Sequence, residues 1–112
     1  MTIKAICSNA GNKPREIPKD NWLVSGREYT IHHVYEQMHP TQRGLQGCLL
    51  LEVTLEGLYN EGKTQHNCYR LDRFMFNEED LPKLFEVIKE STSLEDIDIA
   101  YELSKLNIQK AT

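Results

Sequence analysis

Apolar residues follow two different periods along this chain, and the period changes near residue 74. Before that point, short runs rich in β-branched and aromatic residues are separated by Gly, Pro and Asn, as is typical of strands joined by turns. These runs cover residues 2–7, 28–36, 48–56 and 66–74. The third run places apolar residues on one predicted face at Leu49, Leu51, Val53 and Leu55. We therefore predict a mainly β fold, a small antiparallel barrel of about five strands.

Beyond this point the apolar residues recur at helical spacing, which predicts two C-terminal α-helices. Asp80 is expected to be the N-cap of the first helix. Ser93 and Asp96 resemble a capping box, with Asp in place of the usual Glu or Gln. The second helix is therefore predicted to begin there and to run to about Asn107.

The predicted organisation is a small barrel over residues 1–77 and a helical extension over residues 78–112. The second helix carries two apolar stripes, which need two surfaces to pack on. One stripe comprises Leu94, Ile97, Tyr101 and Ile108. The other comprises Ile99, Leu103 and Leu106. We expect one stripe to pack within the chain and the other to pack on a second copy, which would make the protein a homodimer.

Charge is distributed unevenly between the two parts. Residues 1–73 carry nine Lys or Arg and eight Asp or Glu, whereas residues 74–112 carry four and nine. An acidic second part disfavours nonspecific binding of nucleic acid by the whole chain, and the first part has no strong basic footprint. No apolar run approaches the roughly 18 residues of a membrane-spanning helix, and the opening residues lack the apolar block of a secretory signal. We therefore expect a cytoplasmic protein without a membrane partner.

The stretch WLVSGREYTIHHVYE places two adjacent histidines, His32 and His33, on a predicted strand. Neighbouring side chains on a strand point to opposite faces, so these two do not readily bind one metal ion together. His33 is predicted to share a face with Tyr29 and Ile31, and His32 to share the other face with Val34.

His66 and Cys68 lie two residues apart on a predicted strand and therefore share a face. Together with one of His32 and His33, of which His33 is the candidate, they form a weak candidate for a zinc site. The alternative that we favour is a set of ordinary strand histidines and a buried free cysteine, with no metal and no cofactor. Three cysteines without CxxC spacing predict no disulfide framework. A Cys–His nucleophile would be the enzymatic alternative, but no catalytic or phosphate-binding motif accompanies it, and we do not expect an enzyme.

Aromatic and basic residues interleave in the first part of the chain and offer stacking surfaces and charge. The candidate binding residues are Trp22, Arg27, Tyr35, Arg43, Tyr59 and Arg70. The alternative is that the aromatic rings belong to the core and that the charges are solvated. Burial is expected more for Trp22 than for Tyr59.

Four segments resemble a family of small phage and prophage proteins: KAIC (4–7), NWLVSGREYTI (21–31), GCLLLEV (47–53) and YRLDRF (69–74). The resemblance covers about two-thirds of the chain and does not extend into the helical part. It implies a Src-homology-3-like (SH3-like) barrel, an accessory role in a phage or mobile element, and a bacterial host cytoplasm. It supplies no catalytic residues.

The function that we expect is noncatalytic binding, in which an accessory or regulatory protein contacts a protein partner of the host or phage. The alternative is a nucleic-acid-binding module that uses the basic and aromatic residues of the barrel. The two are separable, because nucleic-acid binding weakens steeply as salt rises.

Overall fold

A computed structural model of the protein describes residues 1–15, 17–37, 44–55, 59–61 and 64–110, and within residues 59–61 and 64–66 it describes the backbone alone. In chain order, the first elements are β1 (Ile3–Cys7), β2 (Glu28–Glu36), β3 (Leu45–Leu50), β4 (Tyr59–Glu61), β5 (Thr64–His66) and β6 (Phe74–Asn77). The last three are α1 (Leu81–Ser91), α2 (Asp96–Leu103) and β7 (Asn107–Gln109).

Five of the strands form one mixed sheet in the order β3-β2-β1-β6-β7, and β4 and β5 form a separate antiparallel hairpin. All neighbours in the larger sheet are antiparallel except β6 and β7, which are parallel. The predicted succession of strands followed by two helices is confirmed. The predicted closed barrel is not confirmed, because the sheet that the described strands form is open, with β3 and β7 at its two edges.

The turn before β2 has the conformation that its sequence predicts. Gly26 has φ +86°, a conformation that L side chains rarely adopt. The backbone N–H of Arg27 donates to the carbonyl of Val24, and that of Gly26 donates to the carbonyl of Cys7. This turn therefore sets the chain antiparallel to β1 at the start of β2.

The third strand begins and ends earlier than its alternating pattern predicts. β3 stops at Leu50, and the apolar Leu51 that follows is exposed. The cause is Glu52, whose carboxylate accepts hydrogen bonds from the backbone N–H and the hydroxyl of Thr30, both at 2.7 Å. The Glu52 carboxylate thus accepts the hydrogen bond that a backbone carbonyl of β3 would accept if the pairing with β2 continued.

The predicted strand over residues 66–74 is also wrong, because the chain is broken there into shorter pieces. Tyr69 forms an isolated antiparallel bridge with Cys48, and the segment Leu71–Arg73 then makes one 3₁₀ turn. Only Phe74 from the predicted run enters β6, where it pairs with Cys7.

The first helix begins where the sequence predicts, whereas the second differs from its prediction at both ends. α1 begins directly after Asp80, as predicted, but the Asp80 side chain makes no capping hydrogen bond. α2 begins at Asp96, and Ser93 caps nothing there, because its hydroxyl donates to the carboxylate of Glu36 at 2.8 Å. The predicted helix to Asn107 is too long, because the chain leaves the helix after Leu103 and adds β7 to the sheet.

The buried cluster that the described residues form draws on both parts of the chain. Tyr29 and Phe74 meet edge to face with ring centroids 6.3 Å apart. Ile88 of α1 and Ile99 of α2 are buried in the same cluster. The helices therefore pack on the sheet. Among the described residues, no helix has the length and apolar composition needed to cross a membrane.

Candidate functional site

A β-bulge occurs on β2 at the first of its two histidines. Ile31 pairs with Leu50 and His33 pairs with Leu49, which makes His32 the extra residue on β2. Alternation restarts after the bulge, so Val34 is buried while His33 is half-buried on the opposite face. The prediction that His33 shares a face with Tyr29 and Ile31 is therefore wrong. His32 is exposed.

The weak zinc candidate is not assembled by the residues that the structure describes. The ring of His33 lies 4.9 Å from that of Tyr35 in an edge-to-face contact. Cys68 lies against Gly47, where a Cβ would come within 2.7 Å of its Sγ. The side chain of His66 lies outside the described residues. No group of three or more His, Cys, Asp or Glu that could hold a metal ion occurs in the described part of the chain.

The cysteines are free thiols in surroundings that disfavour the thiolate. Burial raises the pKa of Cys48 strongly, and burial also raises the pKa of Cys68. Cys48 is fully buried. Cys68 lies over Gly47, the residue before Cys48 on β3. Adjacent strand residues face opposite sides, so the two thiols lie on different faces of β3. A protonated thiol is a poor nucleophile.

Trp22, the first candidate binding residue, lies in the core rather than on an open surface. Its side chain is only 9% exposed, and its Nε1 donates to the carbonyl of Ala10 at 2.8 Å. The ring packs against Tyr69, with centroids 5.8 Å apart, and the guanidinium of Arg73 lies 5.0 Å from its centroid. Trp22 therefore anchors the loop before β2, and its ring is not available as a stacking platform.

Two basic residues of the first part are also engaged within the chain. Arg73 Nη1 donates to the carbonyls of Gly11 at 2.7 Å and Asn9 at 3.1 Å. Lys13 Nζ donates to the carbonyls of Ile17 at 2.6 Å and Pro14 at 3.0 Å. These two side chains hold the loop between β1 and β2 in place, and they contribute little to a ligand-binding surface.

The remaining candidate binding residues lie on separate elements. Arg27 is exposed at the turn before β2, and Tyr35 is half-buried on β2. Arg70 is exposed and pairs with Asp72 at 2.7 Å. Arg43 lies outside the described residues, as does the side chain of Tyr59.

Glu102 is a site residue that the sequence interpretation overlooked. It is 8% exposed, although it carries a charge, and it lines a cleft of about 330 Å³ between α2 and the start of β3. Its Oε1 accepts a hydrogen bond from the backbone N–H of Leu45, and its Oε2 pairs with Lys105 Nζ, both at 2.8 Å. A signal was present, because Glu102 lies three residues after Ile99 and four before Leu106, on the apolar face of the helix.

A shallow apolar groove of about 350 Å³ lies between α1 and α2. Its lining residues are Leu81, Pro82, Phe85, Glu86 and Leu103. Leu81, Phe85 and Leu103 are half-buried against the core, whereas Pro82 and Glu86 are exposed. The groove thus offers apolar contact area with a carboxylate at its edge.

Two large apolar side chains on α2 face away from the core. Ile97 is 76% exposed and Tyr101 is 64% exposed, one helical turn apart. They are the most exposed large apolar side chains of the described residues. Lys105 Nζ lies 4.3 Å from the centroid of the Tyr101 ring. The predicted stripe of Leu94, Ile97 and Tyr101 is therefore split, because Leu94 is buried.

Comparisons of this chain with known protein families, with characterised proteins and with solved structures find no match.

Proposed function

We propose that this protein is a noncatalytic binding module whose α1–α2 groove receives a basic, partly apolar segment of a protein partner. The main support for this proposal is the shape and lining of the groove. Leu81, Phe85 and Leu103 form an apolar floor, and the exposed carboxylate of Glu86 lies at the edge. An apolar floor with a polar rim is the arrangement by which proteins take up a segment of a partner.

The charge of the helical part supports a basic partner. Residues 74–112 carry nine acidic and four basic residues. Glu86 forms no ion pair with the described residues, and the same holds for Glu79, two residues before Leu81. Carboxylates that form no ion pair within their own chain favour association with a positively charged segment and speed the encounter.

The resemblance to small phage proteins supports an accessory or regulatory role in a phage or mobile element, in the cytoplasm of a bacterial host. Closure of the strands into an SH3-like barrel belongs to the same proposal. The nucleic-acid alternative has less support, because Trp22 is buried and both Arg73 and Lys13 bind carbonyls of their own chain.

The proposal is tested by affinity capture from bacterial lysate, divided into nuclease-treated and untreated halves, with mass spectrometry of the retained proteins. The bait is the wild-type chain, the Glu86→Lys variant or the Asp20→Lys variant. Both substitutions make the same change of charge at an exposed residue, but Asp20 lies in the loop before β2, far along the chain from the groove.

We expect one specific protein in both halves with the wild type and with Asp20→Lys, and its loss with Glu86→Lys. Retention that disappears with nuclease would replace this proposal by the nucleic-acid alternative. Equal retention by Glu86→Lys would remove the groove as the binding surface.

A further inference from the structure

We infer that two copies of this chain associate through the outward side of α2, in an antiparallel arrangement about a two-fold axis. The surface consists of Ile97 and Tyr101, flanked by the charged residues at the two ends of the helix. It is distinct from the α1–α2 groove, so this inference does not rest on the proposed partner.

The outward side of α2 is apolar where a solvated helix face would be polar. The opposite side packs on the core through Ile99 and Glu102, both of which are buried. Ile97 and Tyr101 therefore do not contribute to the core of their own chain, and they expose most of their apolar surface to water. A surface of this kind gains free energy when a second apolar surface covers it.

Charge along α2 selects the second copy and its orientation. At the N-terminal end of the helix, Glu95 is exposed, and Asp96 pairs with Lys89 of its own chain at 3.4 Å. Lys105 follows the C-terminal end, where it is half-exposed and pairs with Glu102 at 2.8 Å. An antiparallel pair places Glu95 of each copy near the partner's Lys105, and it also sets the two helix dipoles antiparallel, which is favourable. A parallel pair would place acid beside acid, which is unfavourable.

The same geometry makes the apolar pair self-complementary. In an antiparallel pair, Ile97 meets the partner's Tyr101, and the second contact repeats the first by symmetry. Lys105 already lies over the ring of Tyr101, so its ammonium stands where the acidic end of the other helix would arrive. One short helix from each copy buries less area than a stable dimer requires, so we expect a dissociation constant of roughly 10–100 μM.

Sedimentation velocity on the full chain, from about 5 μM to about 500 μM, brackets this constant. The mass should rise with concentration from that of one chain towards that of two. Ile97→Lys should raise the dissociation constant at least about tenfold, since it places a charge at the centre of the contact. Leu51→Lys is the matched control, because Leu51 is 60% exposed but lies just after β3. It should leave the constant unchanged.

A second pair of variants tests the orientation. Glu95→Lys should weaken association, because it sets a lysine beside the partner's Lys105, whereas Asp20→Lys should not. A single-chain mass at every concentration would overturn the inference. So would a loss of association with Leu51→Lys equal to that with Ile97→Lys, or a Glu95→Lys variant that associates more tightly. Glu86→Lys should leave self-association intact, which separates this inference from the proposed function.

Discussion

The carboxylate of Glu102 on α2 accepts a hydrogen bond of 2.8 Å from the backbone N–H of Leu45, the first residue of β3. The two residues are 57 positions apart in the chain. The bond therefore fastens the helical part to an edge strand of the sheet. The second carboxylate oxygen pairs with Lys105, so both oxygens of this buried group have a partner.

Replacing Glu102 with Ala should lower the free energy of unfolding by about 2 kcal/mol, because a charged hydrogen bond is lost and the N–H of Leu45 loses its acceptor. Urea denaturation followed by circular dichroism measures the change. Glu86→Ala, at an exposed position on α1, is the control and should stay within about 0.5 kcal/mol of the wild type. An unchanged midpoint for Glu102→Ala would contradict the anchoring role.

Gly44→Ala should destabilise the protein by about 1 kcal/mol, because a Cβ at Gly44 would overlap the carboxylate of Glu102. The carboxylate is held by Leu45 and Lys105, so it does not move away freely. In a Glu102→Ala background, the same substitution should cost much less, which a double-mutant cycle by urea denaturation would measure. Additive effects of the two substitutions would show that they act independently.

The Glu52 carboxylate should stabilise the protein at neutral pH and lose this effect in acid. Burial alone would raise its pKa, but the hydrogen bonds from Thr30 and the charge of Lys4 outweigh burial, and its pKa lies below the ordinary 4.5. A lowered pKa in the folded state stabilises above the unfolded pKa, and the contribution disappears as pH falls through the folded value.

Glu52→Ala should therefore be less stable than the wild type at neutral pH, by less than about 1 kcal/mol because the side chain is exposed. The difference should shrink when urea denaturation is repeated below the folded pKa. Glu79→Ala is the control, because Glu79 is exposed and forms no ion pair with the described residues, and it should stay within about 0.5 kcal/mol of the wild type. A Glu52→Ala difference that grows in acid would reverse the assigned sign.

Deleting His32 should be tolerated better than deleting Thr30 from the same strand. Without the bulge residue, Tyr29, Ile31 and Val34 keep to one face by simple alternation. Loss of Thr30 instead inverts the faces of Ile31 and all residues after it, and removes the hydrogen bonds to Glu52. Thermal unfolding of the two deletions measures the difference, and a larger loss for the His32 deletion would show that the bulge itself is required.

Local sequence determined several elements of this protein without help from distant contacts. Gly26 favours the positive φ of the turn before β2, and the run of β-branched and aromatic residues from 28 to 36 is itself the strand. Pro82 in the first turn and the apolar spacing after it define α1. In these cases the preference of a few adjacent residues agrees with the packing that they meet, so the pattern alone predicts the structure.

Tertiary structure decided the features on which the candidate surfaces depend. The carboxylate of Glu52 ends β3, and the pairing of β7 with β6 ends α2, and both act across long stretches of chain. Register with β3 inserts the bulge at His32, so faces counted along the strand are wrong beyond it. The burial of Trp22 and the exposure of Ile97 likewise depend on how distant parts of the chain pack together. Hydrogen bonds and packing between distant segments compete with local periodicity, and at these positions they outweigh it.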